Sequence, residues 1–400
     1  MWIEWTIAVK FLREGKAQST LILVGIAVGV AVIVFITALI TGLQANIIER
    51  TLGTQSHIKV EPLEEQNRVL PVDSGTVQLL LENKRAQRLR SINNWQEVRD
   101  VLDNFPGVTA VSPIISGPAF ARRGEALEST ALVGIDPERY QRIIPIQKDI
   151  VAGVFRIGAG DAVIGKQLAS DLGMRVGDKL RLDGGQGREA VVNVAGIFEL
   201  GVRDLDARYV YLDMKQAQAL LDLPGAATVI DLRVEEIFQA QTIAQGIARL
   251  TGLKAESWME TNTQLMNALR SQSLSTQLIS VFVALSVALG IASVLSVSVV
   301  QRTREIGILR AMGTRRAQML RVFLIQGALF GLGGSLLGGV AGYGLVATFN
   351  TFGPKLFYIP ISPWLLVTAT ALATITGILS AAVPARRAAA LDPVEAIRHV

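Results

Sequence analysis

Four stretches of this 400-residue chain contain no charged residue: 17–48, 271–301, 322–354 and 356–385. A helix needs roughly 20 apolar residues to cross a hydrocarbon layer of about 30 Å, and each stretch exceeds that. Membrane helices are therefore expected near 19–43, 274–300, 322–348 and 362–384. Buried helices of a water-soluble core are the alternative, but these rarely run so far without one charge. Between the first and second stretches, residues 45–270 read as an inserted domain of mixed pattern. Its strand candidates are 57–60, 109–115, 129–133, 179–182, 190–198, 209–212, 229–234 and 253–257, and its helix candidates are 95–104, 166–172, 214–221 and 237–250. The expected fold is an α-helical membrane protein with four transmembrane helices plus an α+β extracytoplasmic domain between the first and second. Two subdomains are expected within it, with Pro113–Gly134 as a crossing point.

Residues 1–18 place Trp2, Trp5, Val9 and Leu12 at helical spacing, with Glu4, Lys10, Arg13 and Glu14 elsewhere, a pattern that fits an amphipathic helix in the headgroup layer. The apolar run that follows is longer than the 7–15 residues of a signal peptide and has no small-residue cleavage site, so it reads as a retained anchor. Residues 63–92 are polar and of mixed charge, and read as an irregular loop. Residues 261–273 read as a helix running straight into the second span.

Charge then sets the orientation. The 45–270 segment holds 26 of the 39 Lys and Arg and 29 of the 34 Asp and Glu, leaving 13 basic against 5 acidic residues for the rest. Of those 13, twelve lie in three places: Lys10, Arg13 and Lys16; Arg302, Arg304, Arg310, Arg315, Arg316 and Arg321; and Arg386, Arg387 and Arg398. Lys355 alone lies on the other side. A Lys/Arg excess in short loops marks the cytoplasmic face, so both termini are expected inside and the large domain outside. The basic excess is thus explained by topology, and no nucleic-acid partner is implied.

Composition narrows the chemistry. With no Cys and only His57 and His399, thiolate metal sites, disulfides and cysteine nucleophiles are excluded, and a histidine-based zinc site or Ser-His-Asp triad has almost no material. No metal or catalytic site is expected. The run Gly160-Asp-Ala-Val-Ile-Gly165-Lys166 imitates a phosphate loop, but Gln167 stands where the metal-binding hydroxyl belongs; it reads as a strand-to-helix turn. No span centre carries an ionisable residue, although ion-coupled transporters keep such groups there, so any driving energy must come from outside the spans. Small residues recur at helix-facing spacing: Gly25 and Gly29 in the first span; Gly327, Gly331, Ser335 and Gly339, and beside them Gly334, Gly338 and Gly342, in the third. Such rows let helix backbones pack closely.

The loop after the second span, Gln301-Arg-Thr-Arg-Glu-Ile-Gly-Ile-Leu-Arg-Ala-Met-Gly-Thr-Arg-Arg316, carries an apolar stripe (Ile306, Leu309, Ala311, Met312) among basic residues, with Gly313 placed to stop a helix. It suits docking into another protein's groove or resting on anionic lipid. The run Glu305–Gly313, the glycine-rich third span and the tail from Pro384 to Arg398 resemble the FtsX-type permease module of the MacB/LolC/LolE ABC transporter superfamily, over essentially the whole chain. Gly134-Ile-Asp-Pro137, Val163-Ile-Gly-Lys-Gln-Leu-Ala169, Gly177-Asp178 and Asn267-Ala-Leu-Arg270 are similar to the lipoprotein-releasing LolC/LolE branch.

The resemblance implies a permease that pairs with a second permease chain, identical or not, and with two cytoplasmic ATPase chains that bind ATP and Mg; this chain binds no cofactor and is not itself an enzyme. The counterpart of the family's coupling helix spans 301–317, with Arg302, Arg304, Glu305, Ile306, Leu309, Arg310, Met312 and Gly313 as the coupling residues. A substrate path is implied at Leu43, Ile47 and Ile48 after the first span and Met266 and Leu269 before the second. Helix packing is expected at Gly25, Gly29, Gly331, Gly334 and Gly338. The implied location is the bacterial inner membrane, among lipids, with residues 385–400 as a cytoplasmic tail and with a periplasmic carrier or adaptor as a further partner. The implied work is extraction of lipoprotein or lipid-like cargo from the outer leaflet. A MacB- or DevC-like efflux or glycolipid exporter, or an FtsX-like signalling subunit that controls a cell-wall hydrolase, are the competing readings.

Overall fold

The computed structural model describes residues 2–63, 89–185, 187–354 and 357–391. Most of the expected 63–92 loop, Lys355 and most of the tail, including Arg398 and His399, lie outside the described residues. The chain divides into two compact units, residues 1–48 with 267–400, and residues 49–266. Each is taken in turn.

Among its described residues the 49–266 unit has ten strands. In chain order its elements are β1 (Ile58–Glu61), α3 (Trp95–Asp103), β2 (Val108–Arg123), β3 (Ala126–Ile135), α4 (Pro137–Tyr140), β4 (Ile150–Gly153), β5 (Asp161–Gly165), α5 (Lys166–Asp171), β6 (Lys179–Asp183), β7 (Glu189–Phe198), α6 (Arg203–Arg208), β8 (Tyr209–Asp213), α7 (Met214–Leu220), β9 (Val229–Val234), α8 (Ala240–Thr251), β10 (Lys254–Ser257) and α9 (Trp258–Thr261). Two layers follow from the pairing. Strands β10, β1, β9 and the first half of β2 form an antiparallel sheet. The second half of β2 pairs with β3, β3 with β8, β8 with β5, β5 with β7, β7 with β6, and β6 returns to β2 at Phe120–Arg122. That ring is a closed six-stranded barrel, which leaves no free edge around its wall.

The barrel is filled by Leu132, Ile164, Leu180, Leu182, Val192 and Val210 among others, all buried. Alternation along β6, with Leu180 and Leu182 inward and Lys179 and Arg181 exposed, is the period-2 signal that made this strand legible. β2 changes partner between Ile114, which faces β9, and Ile115, which faces β3; the subdomain crossing is there, inside the expected interval. The sequence reading did not anticipate β4, and it gave β5 only as the strand side of the strand-to-helix turn at 160–166. It also split β2 too early, at residue 115.

The membrane-type unit consists of α1 (Trp2–Glu14), α2 (Lys16–Gly53), α10 (Thr263–Gln301), α11 (Thr303–Ala311), α12 (Arg316–Phe352) and α13 (Pro363–Ala390), the unit boundary falling within α2 and α10. Four of these helices (α2, α10, α12 and α13) are long and apolar enough to cross a membrane. Each overruns its charge-free stretch, and α13 continues through Pro384 to Ala390 with Ala385, Ala388 and Ala389 buried. The expected tail therefore begins as helix, not as a loose end.

Glycine decides how the long helices meet. A Cβ on Gly327 would lie 2.4 Å from the Gly377 carbonyl oxygen, and one on Gly331 would lie 2.6 Å from that of Ala373, so this row faces α13. Gly334, Gly338 and Gly342 face α2 instead, against Ile26, Ala27 and Val34. The two rows seen in the sequence thus serve two different neighbours. Gly29 is closed over by Val287 of α10, 2.8 Å from its ideal Cβ position, whereas Gly25 meets nothing within 4 Å. Gly25 is therefore not a packing glycine: one helical turn from Gly29, it falls where no neighbouring helix comes close.

Candidate functional site: the α11 surface

The α11 segment is built by a break and a stop. Helix α10 ends at Gln301, Arg302 leaves helical geometry, and Thr303 restarts the chain as α11 with its hydroxyl donating back to the Val299 and Val300 carbonyls. The stop is Gly313, at φ 100°. The Thr314 amide donates to the Leu309 carbonyl and the Gly313 amide to that of Arg310, both at 3.1 Å. Together these make the paired closing bonds that a left-handed glycine permits. The expected helix over 301–317 is thus nine residues long, ended by this turn, before α12 begins at Arg316.

Its inward face is tied to the rest of the unit. Ile306 is fully buried with Met319, Phe323 and Ala385 in one cluster, and Leu309 packs against the same core. The Arg302 guanidinium donates to the Phe11 carbonyl (2.9 Å) and to Glu14 (3.1 Å), and sits 4.6 Å over the Phe11 ring. Arg310 donates to the carbonyls of Ala389 (3.2 Å) and Leu391. These two arginines fix α11 to α1 and to the end of α13.

This geometry corrects the sequence-based assignment of contact residues. Ile306, Leu309, Arg302 and Arg310 are engaged within the chain itself. The face left open carries Arg304, Ile308, Ala311, Met312 and Arg315, with Ile308 43% and Met312 72% exposed. Arg304, Ile308 and Met312 are successive i, i+4 positions and form one stripe. Glu305 and Gly313 are also exposed, and Glu305 lies 3.8 Å from Arg302. Ile308 was missed because both faces of α11 are apolar, and only the turn at Arg302 settles which one points in.

Helix α1 departs from its expected face in the same way. Ala8 and Phe11 are buried against Val322, Gln326 Nε2 donates to the Ala8 carbonyl at 3.4 Å, and Glu4 is buried 3.8 Å from Arg321. The protein-facing stripe is therefore 4, 8 and 11. Trp5, off this stripe, is exposed.

Of the implied substrate-path residues, Leu43, Ile47 and Ile48 are half-buried on α2, and Leu269 is half-buried on α10, its carbonyl receiving a long 3.5 Å contact from Gln44 Nε2. Met266, half-buried on the same helix, falls in the other unit. A small apolar notch of about 20 Å³ lies between α2, α10 and α13, lined by Gly29, Ile33, Ala284, Val287 and Leu372.

In the 49–266 unit, the strands joined to α2 and α10 are neighbours: Ile58 of β1 pairs with Ser257 of β10. The Trp258 amide donates to the His57 carbonyl, and the buried indole donates to Ile237. Ser56 donates to the buried Asp231 carboxyl at 2.7 Å. Burial pushes the Asp231 carboxyl above its ordinary range, against the pull of Lys59 and Ser56; burial likewise pushes His57 below its ordinary value. The phosphate-loop imitation is strand β5 followed directly by α5, with Lys166 paired to Glu199 at 2.8 Å. Gly165 is small because the Asp206 carbonyl would lie 2.1 Å from any Cβ there. Among the described residues no group of three or more His, Asp or Glu is placed to hold a metal.

Comparison with known proteins follows the two halves of this architecture. Residues 19–250 match the MacB-like periplasmic core domain, and residues 278–393 match the FtsX-like permease C-terminal model. The chain is 26% identical over 343 residues to the lipoprotein-releasing system transmembrane protein LolC of Xylella fastidiosa, covering 77% of this chain and 82% of that one. It is 29% identical over 336 residues to the macrolide export ATP-binding/permease protein MacB of Shewanella oneidensis, covering 79% of this chain and 50% of that protein. Among solved structures, the periplasmic region of MacB from Actinobacillus actinomycetemcomitans matches 55% of this chain and 95% of its own, at 13% identity and a TM-score of 0.35. With the first of these family models matching more than half of its length and the second covering its last three long helices, the chain belongs to the family of MacB-like periplasmic core domain proteins with an FtsX-like permease module.

Proposed function

We propose that this chain is the permease subunit of an ABC transporter, and that it extracts lipoprotein or lipid-like cargo from the outer leaflet of a bacterial inner membrane using ATP hydrolysed by two partner chains. The observation that carries this reading is the α11 surface. Its inward side is clamped by Arg302 and Arg310, and its outward stripe of Arg304, Ile308 and Met312 is exposed. Exposed apolar anchors among arginines suit a groove with an acidic rim, and α11 joins α10 across the one-residue break at Arg302 and α12 across the four residues 312–315. A push received there passes into two spans at once.

Helices α2, α10, α12 and α13 are read as the four spans, with both termini and α11 on the cytoplasmic side and the 49–266 unit on the periplasmic side. The positive-inside distribution of arginine supports this, as do exposed Phe352, Tyr358 and Trp364 about the opposite ends of α12 and α13. Cargo is placed against Leu43, Ile47, Ile48 and Leu269, with Met266 beyond. Transfer of an acyl chain from lipid to water costs about 0.8 kcal/mol per methylene, so extraction needs an apolar path and external work, and the chain supplies the path. A second permease copy or homologue completes the assembly in this reading. Lipoprotein as cargo follows the LolC relatives.

The test is Ile308→Asp with Met312→Asp in the full chain, reconstituted with its partner ATPase in lipid nanodiscs. Cargo-stimulated ATP hydrolysis is expected to be lost while the thermal midpoint is retained, because both side chains face solvent. Retained stimulation would overturn the docking role. Photo-crosslinking from Leu43 distinguishes the cargo class: acylated protein supports lipoprotein release, while a small amphiphile or a cell-wall hydrolase in the adduct replaces it.

A further inference from the structure

Beside α1 lies a groove of about 270 Å³ that the coupling surface does not use, lined by Glu4, Arg321, Leu324, Ile325, Ala328 and Ile378. Its floor is apolar and comes from α12 and α13, with Glu4 of α1 at its edge. Its rim carries Arg321, whose side chain is 60% exposed and lies 3.8 Å from Glu4. The two form an ion pair too long for a charge-assisted hydrogen bond. Ala328 keeps the floor open, since a larger side chain there would occupy the groove. Exposed Trp5 stands one residue from Glu4, in the position of an interfacial ring.

We propose that this groove is a binding site for a single glycerophospholipid, one acyl chain lying along Leu324, Ala328 and Ile378 and the phosphate held by Arg321. Charge complementarity selects the occupant. An apolar trough ending at an exposed guanidinium matches a molecule with an anionic group at the head of a hydrocarbon chain, and basic pockets between spans at the cytoplasmic side hold lipid headgroups in this manner. The inference rests on the reading above in one respect: α12 and α13 cross the bilayer, so the groove opens to lipid. Bound there, the lipid covers the flank of α1 and holds it against α12, where Ala8 and Phe11 already pack. Because Glu4 neutralises part of the Arg321 charge, the phosphate is recognised whether the rest of the headgroup is anionic or zwitterionic.

The test is native mass spectrometry of the full chain released from detergent, titrated with phosphatidylglycerol and, separately, phosphatidylethanolamine. Wild type is expected to retain one lipid of either kind more tightly than the rest. Arg321→Gln, which removes the rim cation together with its ion pair to buried Glu4, should weaken that first binding about fivefold, the effect of one cation near a lipid phosphate, and Arg321→Lys should restore most of it. Ala328→Phe should abolish the first site while leaving later, weaker ones unchanged. Equal first-site affinity in wild type and both Arg321→Gln and Ala328→Phe overturns the proposal, and a selective loss for phosphatidylglycerol alone overturns the shared-phosphate recognition. Alkaline extraction of membranes containing the chain separates the two readings. Release of the chain refutes the spanning assignment, whereas full retention with unchanged lipid affinities refutes the groove alone.

Discussion

Replacing Gly327 by Ala tests the glycine row as the feature that sets the α12–α13 crossing. The helices approach so closely at this point that a Cβ on Gly327 falls 2.4 Å from the Gly377 carbonyl oxygen and 2.6 Å from the Ala381 Cβ, and a Cβ on Gly377 falls 2.4 Å from the Gly327 carbonyl oxygen. The obstacles are backbone atoms and a methyl group, so no side chain can swing aside. Overpacking of this kind costs about 1–3 kcal/mol. Against it stands the gain from replacing Gly by Ala inside a helix, roughly 0.5–1 kcal/mol, and the net expectation is a loss of about 1–2 kcal/mol. Gly344→Ala is the internal control: it lies in the same helix, nothing stands within 4 Å of its Cβ position, and it should be neutral or slightly stabilising. The double variant Gly327→Ala with Gly377→Ala should lose less than the two single losses added, because separating the helices for the first methyl makes room for the second. The assay is reversible unfolding of the detergent-solubilised chain by increasing SDS, followed by tryptophan fluorescence. Equal midpoints for Gly327→Ala and Gly344→Ala would show that the crossing is not set by backbone approach and would remove the structural role assigned to the row.

The α11 correction predicts that Ile306→Ala lowers stability by about 2–5 kcal/mol, as expected for truncating a fully buried aliphatic side chain, while Ile308→Ala stays within about 0.5 kcal/mol; the reverse order in a denaturant series would put Ile308 inside. Arg302→Lys keeps the charge but loses the fork that reaches both Phe11 and Glu14, so amide exchange along α1 should accelerate roughly tenfold for a cost of about 1–2 kcal/mol. Unchanged exchange rates would mean the clamp is idle. Asp231 has a raised folded-state pKa, so its contribution to stability is full below the ordinary Asp value and is lost as pH rises through the raised one; Asp231→Asn should remove that slope while keeping an acceptor for Ser56, read as the pH dependence of the thermal midpoint of the 49–266 unit. His57 has the opposite sign. Its lowered pKa makes its contribution full above the ordinary His value and lost as pH falls through the folded one, so His57→Gln should flatten the acid side, and an unflattened profile would assign that limb to other groups.

The membrane helices were legible because charge is the costliest feature to place in lipid, and its absence over four stretches leaves little choice. Their ends were not, since a helix continues past the lipid boundary wherever its next residues tolerate helix. Lys16, Arg50, Arg316 and Arg387 all sit inside helices that the charge-free stretches had stopped short of. In the 49–266 unit, strands with clean alternation such as β6 and long β-branched runs such as β7 were found. β5 was hidden inside a glycine-bounded pattern that imitates a nucleotide loop, and barrel closure through β6 and β2 depends on a pairing of three residues on β2 that no local signal announces. On α11 the sequence reading mixed the two faces: Arg304 and Met312 lie on the open stripe, whereas Ile306, Leu309, Arg302 and Arg310 face inward. Periodicity identifies an apolar stripe, but α11 has two, and burial of Ile306 with Met319 and Phe323 is a tertiary outcome.

The placement of β1 beside β10 brings the two ends of the 49–266 unit together. β1 begins four residues after α2 ends, and β10 is followed by α9 and then α10. Because the two strands are antiparallel and Ile58 faces Ser257, both helices attach at the same end of the pair. Sliding of β1 along β10 would shear their ladder, whose bonds lie perpendicular to the strands and resist as a group. The Trp258 amide to His57 carbonyl bond closes that ladder at the point of attachment, and the capping box in which Ser257 and Glu260 bond reciprocally restarts the helix immediately beyond it. Within the 49–266 unit, β1 pairs on its other side with β9 and β9 with β2, whose change of partner at Ile114–Ile115 continues the ladder into the barrel.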